Sequence, residues 1–569
     1  MRVSEIIFLS LAILGRVEAT PLQGKLHCKC TVKDTCWPAL ADWNSFNKTI
    51  DGNLITTVPL GSPCHDPSYN GEQCSTLTSE WDYAPIHASN PSSIMMPVFQ
   101  NGTCDPFHPR SDPCDLGNLV QFSVNATTTA HVQEAVRFAA RNNLRLVIKN
   151  TGHDFLGRST SAGALGLWTH NLDKITVIKN FRSKEYHGPA MRIGAGVQAA
   201  AAYMAAHENG YRAMGGSCPT VGLAGGFTQG GGLGALSSIN GLGADNVLEW
   251  EVVTASGNVV HASPSNNSDL FWALAGGAGG TFGVVVSMTS RVFVDAPTTG
   301  ASLAFELDAA PSANAFWDSI SVFFTGATPL VDTGSFLLSQ ITNTTFQVTI
   351  AAPSVTVPTL NTQLSYITDH LNQTGIAYSL TAQTDPSYFD FFSRYFGPLP
   401  NGIYPVTHLV GSRLLPRNFF QSVESTQGLQ NLLQSITPNQ TYTVAVELFN
   451  VNQTSVADRS VHPAWRESIA HFLVYSAWDW SSQTEMDARS DRLTNEIVPT
   501  LEKLTPGSGT YRNEANYRQK NWQEAFFGSN WDRLNSIQRT WDPKGVFYAP
   551  LSVGADQWAE KNGALCRVS

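Results

Sequence analysis

The apolar positions change period along the chain, and each change marks an element. In "TAHVQEAVRFAARNN" (129–143), Val132, Ala135, Val136 and Ala139 recur near a 3.6-residue period and predict an amphipathic helix. The short apolar runs on either side, "NLVQFSV" and "LRLVIKN", predict strands. "ITVI", "AMRIGAG", "LEWEVVTASG", "NVVHAS" and "TFGVVVSMTSRVF" predict more strands, with a helix at "VQAAAAYMAAHENG" among them. This α+β region ends near 297. Beyond it "ASLAFEL", "FQVTIAA", "YTVAVELFNV" and "HFLVYSAWDW" read as strands and alternate with helices such as "SANAFWDSISVFF". The second region lacks the glycine density of the first. No internal repeat, coiled coil or low-complexity linker appears.

A chain of 569 residues exceeds what one hydrophobic core usually supports, so the two regions predict two domains. The formal charge of −10 argues against nucleic acid or an anionic membrane as partner. "MRVSEIIFLSLAILGRVEAT" has a basic start, an apolar segment and small residues up to Ala19, the pattern of a secretory signal over 1–19. Its apolar segment is too short to span a bilayer, and no other run reaches about 18 apolar residues. N-x-S/T recurs at Asn47, Asn101, Asn125, Asn266, Asn343, Asn372, Asn439 and Asn452. N-glycans there would supply the solubility that the scarce charged residues, 14% of the chain, do not.

Secretion changes the reading of the cysteines. Seven of the nine lie in the first 114 residues, within a loop-rich segment over 20–115, and Cys566 lies three residues before the end. Eight cysteines so placed predict four disulfides, with the pairing open. "HCKC" with Cys36 also suggests a metal site, but the disulfide reading is preferred and no metal is expected. Cys218 is the odd one out and is left as a free thiol.

Three glycine patterns bear on chemistry. G-x-G-x-x-A at Gly194, Gly196 and Ala199 stands where a dinucleotide fingerprint would stand. The acidic residue expected at the end of the next strand is missing, so a tight strand-to-helix turn is the preferred reading. The denser block over 214–246 holds eleven glycines. Interior glycine disfavours an ordinary helix, so the block predicts backbone laid against a large flat or anionic ligand, with a set of irregular turns as the alternative. In "NTGHDFLGRS", Gly152 and Gly157 bracket His153 and would let backbone amides face a phosphate.

Four segments in order carry a family resemblance: "VIKNTGHDFLGRS", "GGSCPTVGLAGGFTQGGGLG", "DLFWALAGGAGGTFGVV" and "YRNEANYRQKNWQEAFFGSNWDRLNSIQRTWDPKGVFY". Together they resemble the fungal berberine-bridge-enzyme-like FAD-linked oxidases of the vanillyl-alcohol-oxidase superfamily, with its PCMH-type FAD-binding domain. The resemblance covers about 115–300 and 505–560 well and the middle loosely.

It implies a two-domain α+β fold. An FAD-binding domain (116–299, with 20–115 as its cysteine-rich N-terminal segment and 501–569 returning to it) is split around an inserted substrate domain (300–500) with an antiparallel sheet. It also implies covalent FAD, with His153 attached at the flavin 8α-methyl and Cys218 at C6. Both side chains are nucleophiles once deprotonated. Around His153, the implied cofactor contacts are Asn150, Thr151, Gly152, Asp154, Phe155, Gly157, Arg158 and Ser159. Around Cys218 they are Pro219, Thr220, Gly222, Gly225 and Gly226, where some relatives have histidine at the last position. Gly280, Val284 and Asn513 complete the set.

The implied reaction takes hydride from a C–H of an alcohol, carbohydrate or secondary metabolite, with O₂ as the expected electron acceptor and H₂O₂ released. A base must take the substrate's other proton. Tyr511 in "YRNEANY" is the first candidate, equally readable as core packing. His471 and Glu447 are the others. A satisfied structural histidine is the preferred reading of His471, and an edge-facing carboxylate that of Glu447. A dehydrogenase with another acceptor, a silent flavin-binding protein and a cofactor-free secreted module are the competing functions.

Overall fold

The computed structural model describes residues 28–100, 102–438, 441–452, 458–561 and 563–568. The signal segment and the glycosylation sites at Asn101 and Asn439 lie outside the described residues. Three sheets organise the rest, each with its own apolar core.

The first sheet is small and mostly parallel. Strand β1 (Leu54–Thr56) lies antiparallel to β2 (Phe122–Asn125), which runs parallel to β4 (Leu165–Trp168), which runs parallel to β3 (Leu146–Lys149). The predicted amphipathic helix, Thr129–Arg141, joins β2 to β3. Thr128 caps it, its hydroxyl accepting from the His131 N–H at 3.3 Å. Val132, Ala135, Val136 and Ala139 are fully buried beneath the sheet. Each valine so buried contributes roughly 1.5–3 kcal/mol.

The second sheet is antiparallel, in the order β5 (Ile175–Arg182), β6 (His187–Gly194), β10 (Val284–Val294), β8 (Val247–Val253) and β9 (Val259–Ala262), with β7 (Tyr211–Ala213) also on β10. The Gly194–Ala199 pattern is the turn from β6 into the helix Ala199–Glu208. A Cβ on Gly194 would overlap the Leu172 carbonyl, and one on Gly196 the His170 carbonyl. Close backbone approach therefore explains these glycines without a dinucleotide.

Seven antiparallel strands make the third sheet, in the order β14 (Tyr378–Asp385), β11 (Thr298–Glu306), β13 (Thr345–Pro353), β12 (Phe336–Ile341), β16 (Thr443–Leu448), β17 (Ser468–Ala477) and β15 (His408–Pro416). The period of two sorts its faces. Val444, Val446 and Leu448 of β16 and Ala470, Phe472 and Val474 of β17 join one core beneath the helices Ala313–Gly326 and Val423–Ile436. Glu447 and His471 therefore point to the opposite face.

The chain end returns to the first sheet. Phe547 bridges Leu146 beside β3, and the hairpin β18 (Trp558–Lys561) and β19 (Ala564–Arg567) follows. Cys28–Cys566 ties this hairpin to the first described residue, and Cys30–Cys36, Cys64–Cys74 and Cys104–Cys114 are local. The Cys28–Cys566 and Cys30–Cys36 bonds consume the sulfurs that "HCKC" and Cys36 had offered to a metal. Cys218 is the free cysteine among the described residues.

Candidate active site

The segment holding His153 is the crossover from β3 to β4. It leaves the C-terminal end of a parallel strand, where α/β sheets gather their ligands. Gly152 and Gly157 turn it at φ +93° and +77°, values that side chains with a Cβ disfavour. A Cβ on Gly157 would also strike the Phe99 ring at 2.7 Å. Asp154 closes the loop by accepting from the Arg158 backbone N–H and from its Nε. Ser159 follows, partly exposed, and Thr151 is buried. Beneath the loop Lys149 is buried, its Nζ donating to the carbonyls of His87 at 3.1 Å and Asn90 at 2.8 Å. Burial pushes this amine down to about 7.

His153 and Cys218 meet at one hydroxyl. Thr220, 2% exposed, has its Oγ1 at 2.8 Å from His153 Nε2 and 3.4 Å from Cys218 Sγ. Burial, reinforced by His408, His87 and Lys149, pushes the His153 imidazole down to about 3, so it is neutral. Burial pushes the Cys218 thiol up, against the pull of its contacts with Thr220. His153 Nδ1 has no hydrogen-bond partner among the described residues. The Pro219 carbonyl accepts from the Ala200 N–H at 2.9 Å, fixing this turn to the helix Ala199–Glu208.

The glycine block continues from Thr220 and forms the floor between these segments. Gly222 and Gly225 lie against the Asn150 side chain, whose Nδ2 donates to the Ala195 carbonyl at 2.5 Å. Asn513 Nδ2 donates to the carbonyls of Gly226 and Phe227 at 3.0 Å each. A Cβ on Gly226 or on Gly280 would meet nothing within 4 Å. Around this floor Asn150 Oδ1, Gln229 Oε1, Thr281 Oγ1 and Asn513 Oδ1 are buried without a partner. Buried polar atoms without partners are rare. Their supply here by four separate segments, beside bare glycine backbone, a free thiol and a neutral imidazole, fits a large polar cofactor such as FAD.

Opposite the glycine block stands a titratable group on the open face of the third sheet. Glu447 and His471 are direct cross-strand partners of β16 and β17, and Glu447 Oε2 accepts from His471 Nδ1 at 2.9 Å. Glu514 Oε2 lies 3.5 Å from the same nitrogen. The His471 ring meets Tyr511 edge-on at 5.4 Å, and Trp465 meets it at 5.1 Å. The Tyr511 hydroxyl accepts from Asn513 Nδ2 at 3.0 Å. Burial pushes Glu447 up to about 7 and, with Glu447 as a neighbour, Glu514 also to about 7. Burial pushes the Tyr511 phenol far above its ordinary value, so it stays protonated at neutral pH. His471 is pushed down by burial, against the pull of Glu514.

The structure thus brings Tyr511, His471 and Glu447 together, and three expectations change. Glu447 is no edge carboxylate, because β16 lies between β12 and β17. His471 is only half satisfied, since its Nε2 is buried without a partner. Val284 packs among Val253, Val286 and Val546 in the core under the first sheet. Sequence reasoning passed over Glu514, Gln229 and Thr281. Glu514 carried a signal, a carboxylate inside the quoted "YRNEANY". Phe155 contacts His408, ring to ring at 5.3 Å, and His408 contacts Tyr475 at 5.6 Å. Those residues extend an aromatic wall along β15 and β17.

Comparison with known proteins agrees with this geometry. A family model described as FAD binding domain matches residues 120–263, and one described as berberine and berberine like matches 510–554. An FAD-linked oxidoreductase of Gibberella zeae is 42% identical over 559 residues, 98% of each chain. The crystal structure of a VAO-type flavoprotein from Myceliophthora thermophila C1 superposes with a TM-score of 0.92 at 39% identity, covering 95% of this chain and 100% of that one. A glucooligosaccharide oxidase from Acremonium strictum, described with a 6-S-cysteinyl, 8α-N1-histidyl FAD, shares the fold at a TM-score of 0.65 and 19% identity, over 77% of this chain and 92% of that one.

Proposed function

This chain belongs to the VAO-type, berberine-bridge-enzyme-like family of FAD-dependent oxidoreductases, and from that membership we propose that it is a secreted oxidase with FAD attached through both His153 and Cys218. When bound, FAD takes a hydride equivalent from a substrate C–H, and O₂ is the proposed final acceptor, with H₂O₂ released. The substrate is an alcohol, carbohydrate or secondary metabolite. We assign cofactor binding to 116–299 with the flanking segments 20–115 and 501–569, and substrate binding to 300–500.

The observation that carries the reading is the convergence of His153 and Cys218 on Thr220. Two nucleophiles from separate segments face one region, and among the described residues no disulfide uses the sulfur. Asn150 and the glycine backbone hold the cofactor's polar parts. Asn513 bridges the glycine floor to Tyr511, so the C-terminal segment orients the cofactor's substrate side. Among the proposed base residues, Tyr511 stays a phenol whose hydroxyl accepts from Asn513, and Glu447 and His471 hold and place a proton at its edge. Four disulfides support secretion, and Asn266, Asn372 and Asn452 are exposed, as N-glycan acceptors must be. No helix among the described residues is long and apolar enough to cross a membrane.

The test is the purified protein. Yellow colour should stay with the acid-precipitated polypeptide, and peptide mass spectrometry should place flavin on the peptides holding His153 and Cys218. Cys218→Ala should keep the histidyl link, and His153→Ala the cysteinyl one. A colourless polypeptide after precipitation refutes covalent attachment. Flavin that dithionite reduces but air does not reoxidise refutes the oxidase assignment in favour of another acceptor.

A further inference from the structure

We propose that Glu514 is the catalytic residue that takes the substrate's proton, held by Glu447 and His471 as positioning residues at the junction of the third sheet and the C-terminal segment. The inference rests on the flavin reading above and goes beyond it, since none of the bases named from sequence is Glu514.

Access separates the candidates. His471 is 0% exposed and its Nδ1 is already engaged with Glu447. Tyr511 is 2% exposed and locked as a phenol by burial. The Glu447 side chain is 12% exposed, whereas that of Glu514 is 32% exposed. Glu514 also has a buried oxygen, Oε2, without a hydrogen-bond partner. It follows Asn513 directly, and Asn513 lies on the glycine floor. One carboxylate thus stands beside the glycine floor and on the open face of the sheet.

The cluster also explains how a carboxylate can serve near neutrality. The titratable groups around Glu514 are Glu447 from β16, His471 from β17 and Tyr511 from its own segment. One side-chain nitrogen or oxygen from each of Glu447, His471 and Glu514 lies within 4.8 Å of the other two. Two carboxyls so close resist carrying two charges, so one proton and one charge are shared. The His471 Nδ1–H then steadies the remaining charge. With an alcohol, the C–H hydrogen leaves with both bonding electrons to FAD. The O–H bond breaks, its electrons form the carbonyl bond, and the proton passes to the Glu514 carboxylate. Atoms and charge balance, with FAD as the oxidant.

The experiment follows the visible absorbance of the purified holoprotein from pH 5 to 9. Wild type should show one shift with a midpoint near 7. Glu514→Gln should weaken it to the share carried by Glu447, and Glu514→Asp, which keeps the acid, should retain it. Glu447→Gln removes a like charge and should move the midpoint down by roughly one pH unit. In anaerobic reduction by a panel of primary, secondary and sugar alcohols, Glu514→Gln should lower the reduction rate roughly 10²- to 10⁴-fold and abolish its pH dependence. A Glu514→Gln titration identical to wild type, or an unmoved midpoint in Glu447→Gln, overturns the proposal. So does one equivalent of divalent metal retained by wild type and lost from Glu514→Gln in elemental analysis, since the cluster would then be a metal site. A colourless preparation instead overturns the flavin reading itself.

Discussion

Thr220 offers a direct perturbation of the two proposed attachments, because its single hydroxyl touches both. The hydrogen-bond chain has two polarities. In one, His153 Nε2–H donates to Oγ1 at 2.8 Å and the hydroxyl donates to Cys218 Sγ at 3.4 Å. That polarity leaves the Nδ1 lone pair free and favours the thiolate, so it prepares both nucleophiles at once. The reverse polarity yields an Nδ1–H and a thiol, and prepares neither. Thr220→Val keeps the shape and removes the hydroxyl at a site 2% exposed. Leaving a buried donor unpaired costs about 1–3 kcal/mol, which is roughly a 5- to 150-fold loss in the rate of attachment. The shorter contact is with the histidine, so the histidyl link should slow more than the cysteinyl one. The assay adds FAD to apoprotein from a flavin-starved host and follows acid-stable flavin and peptide mass over time. Thr220→Ser should stay near wild type. Attachment of both links in Thr220→Val at the wild-type rate refutes the chain.

Two stability predictions follow from other parts of the fold. Cys28–Cys566 closes a loop with a sequence separation of 538, which stabilises by about 6 kcal/mol on the chain-entropy account; the double serine variant should melt several degrees lower, and an unchanged Tm refutes that account here. Burial pushes His87, His408 and His462 down to about 4. These bases have depressed folded values, so the stability of their neutral forms is intact above about 6.5 and is lost as pH falls through about 4. The loss reaches roughly 2–3 kcal/mol each at most. Glu447 and Glu514, pushed up to about 7, oppose this by gaining stability as pH falls from about 7 to 4.5. Tm should therefore hold between pH 7 and 5 and fall steeply below 5, and a Tm at pH 4 above that at pH 6 contradicts the assignment.

How much was legible depended on what each signal measures. The helix Thr129–Arg141 and strands such as β13, with Phe346, Val348 and Ile350 buried in alternation, were readable because burial repeats with the backbone period. Strands β12, β14 and β15 were not read. In β14 every second residue is only half-buried, as befits the edge of the sheet, and β15 carries Gly411 and a buried Arg413 that blur its pattern. The His153 loop and the glycine block were legible as motifs, since glycine positions report close backbone approach. Glu514, Gln229 and Thr281 were not, because their significance is an unmade hydrogen bond. Periodicity cannot register a missing partner, and only packing identifies one.

The division of labour in the site follows from that contrast. The cofactor side is built by loops whose backbone approach fixes residue identity, so its motifs survive in sequence. The proton side is built by cross-strand register: Glu447 faces His471 only because β16 and β17 pair without a bulge between them over that stretch. A one-residue slip of β17 would turn His471 into the core beneath the helices and bring Ala470 or Phe472 to face the flavin side. The C-terminal segment then decides whether the pair becomes a base, by delivering Glu514 to the same nitrogen from outside the sheet. On the proposed function, the aromatic wall of Phe155, His408 and Tyr475 can change residue by residue while the proposed flavin anchors stay fixed. The proton acceptor cannot change so freely, because it requires two strands and the returning tail to stay in register together.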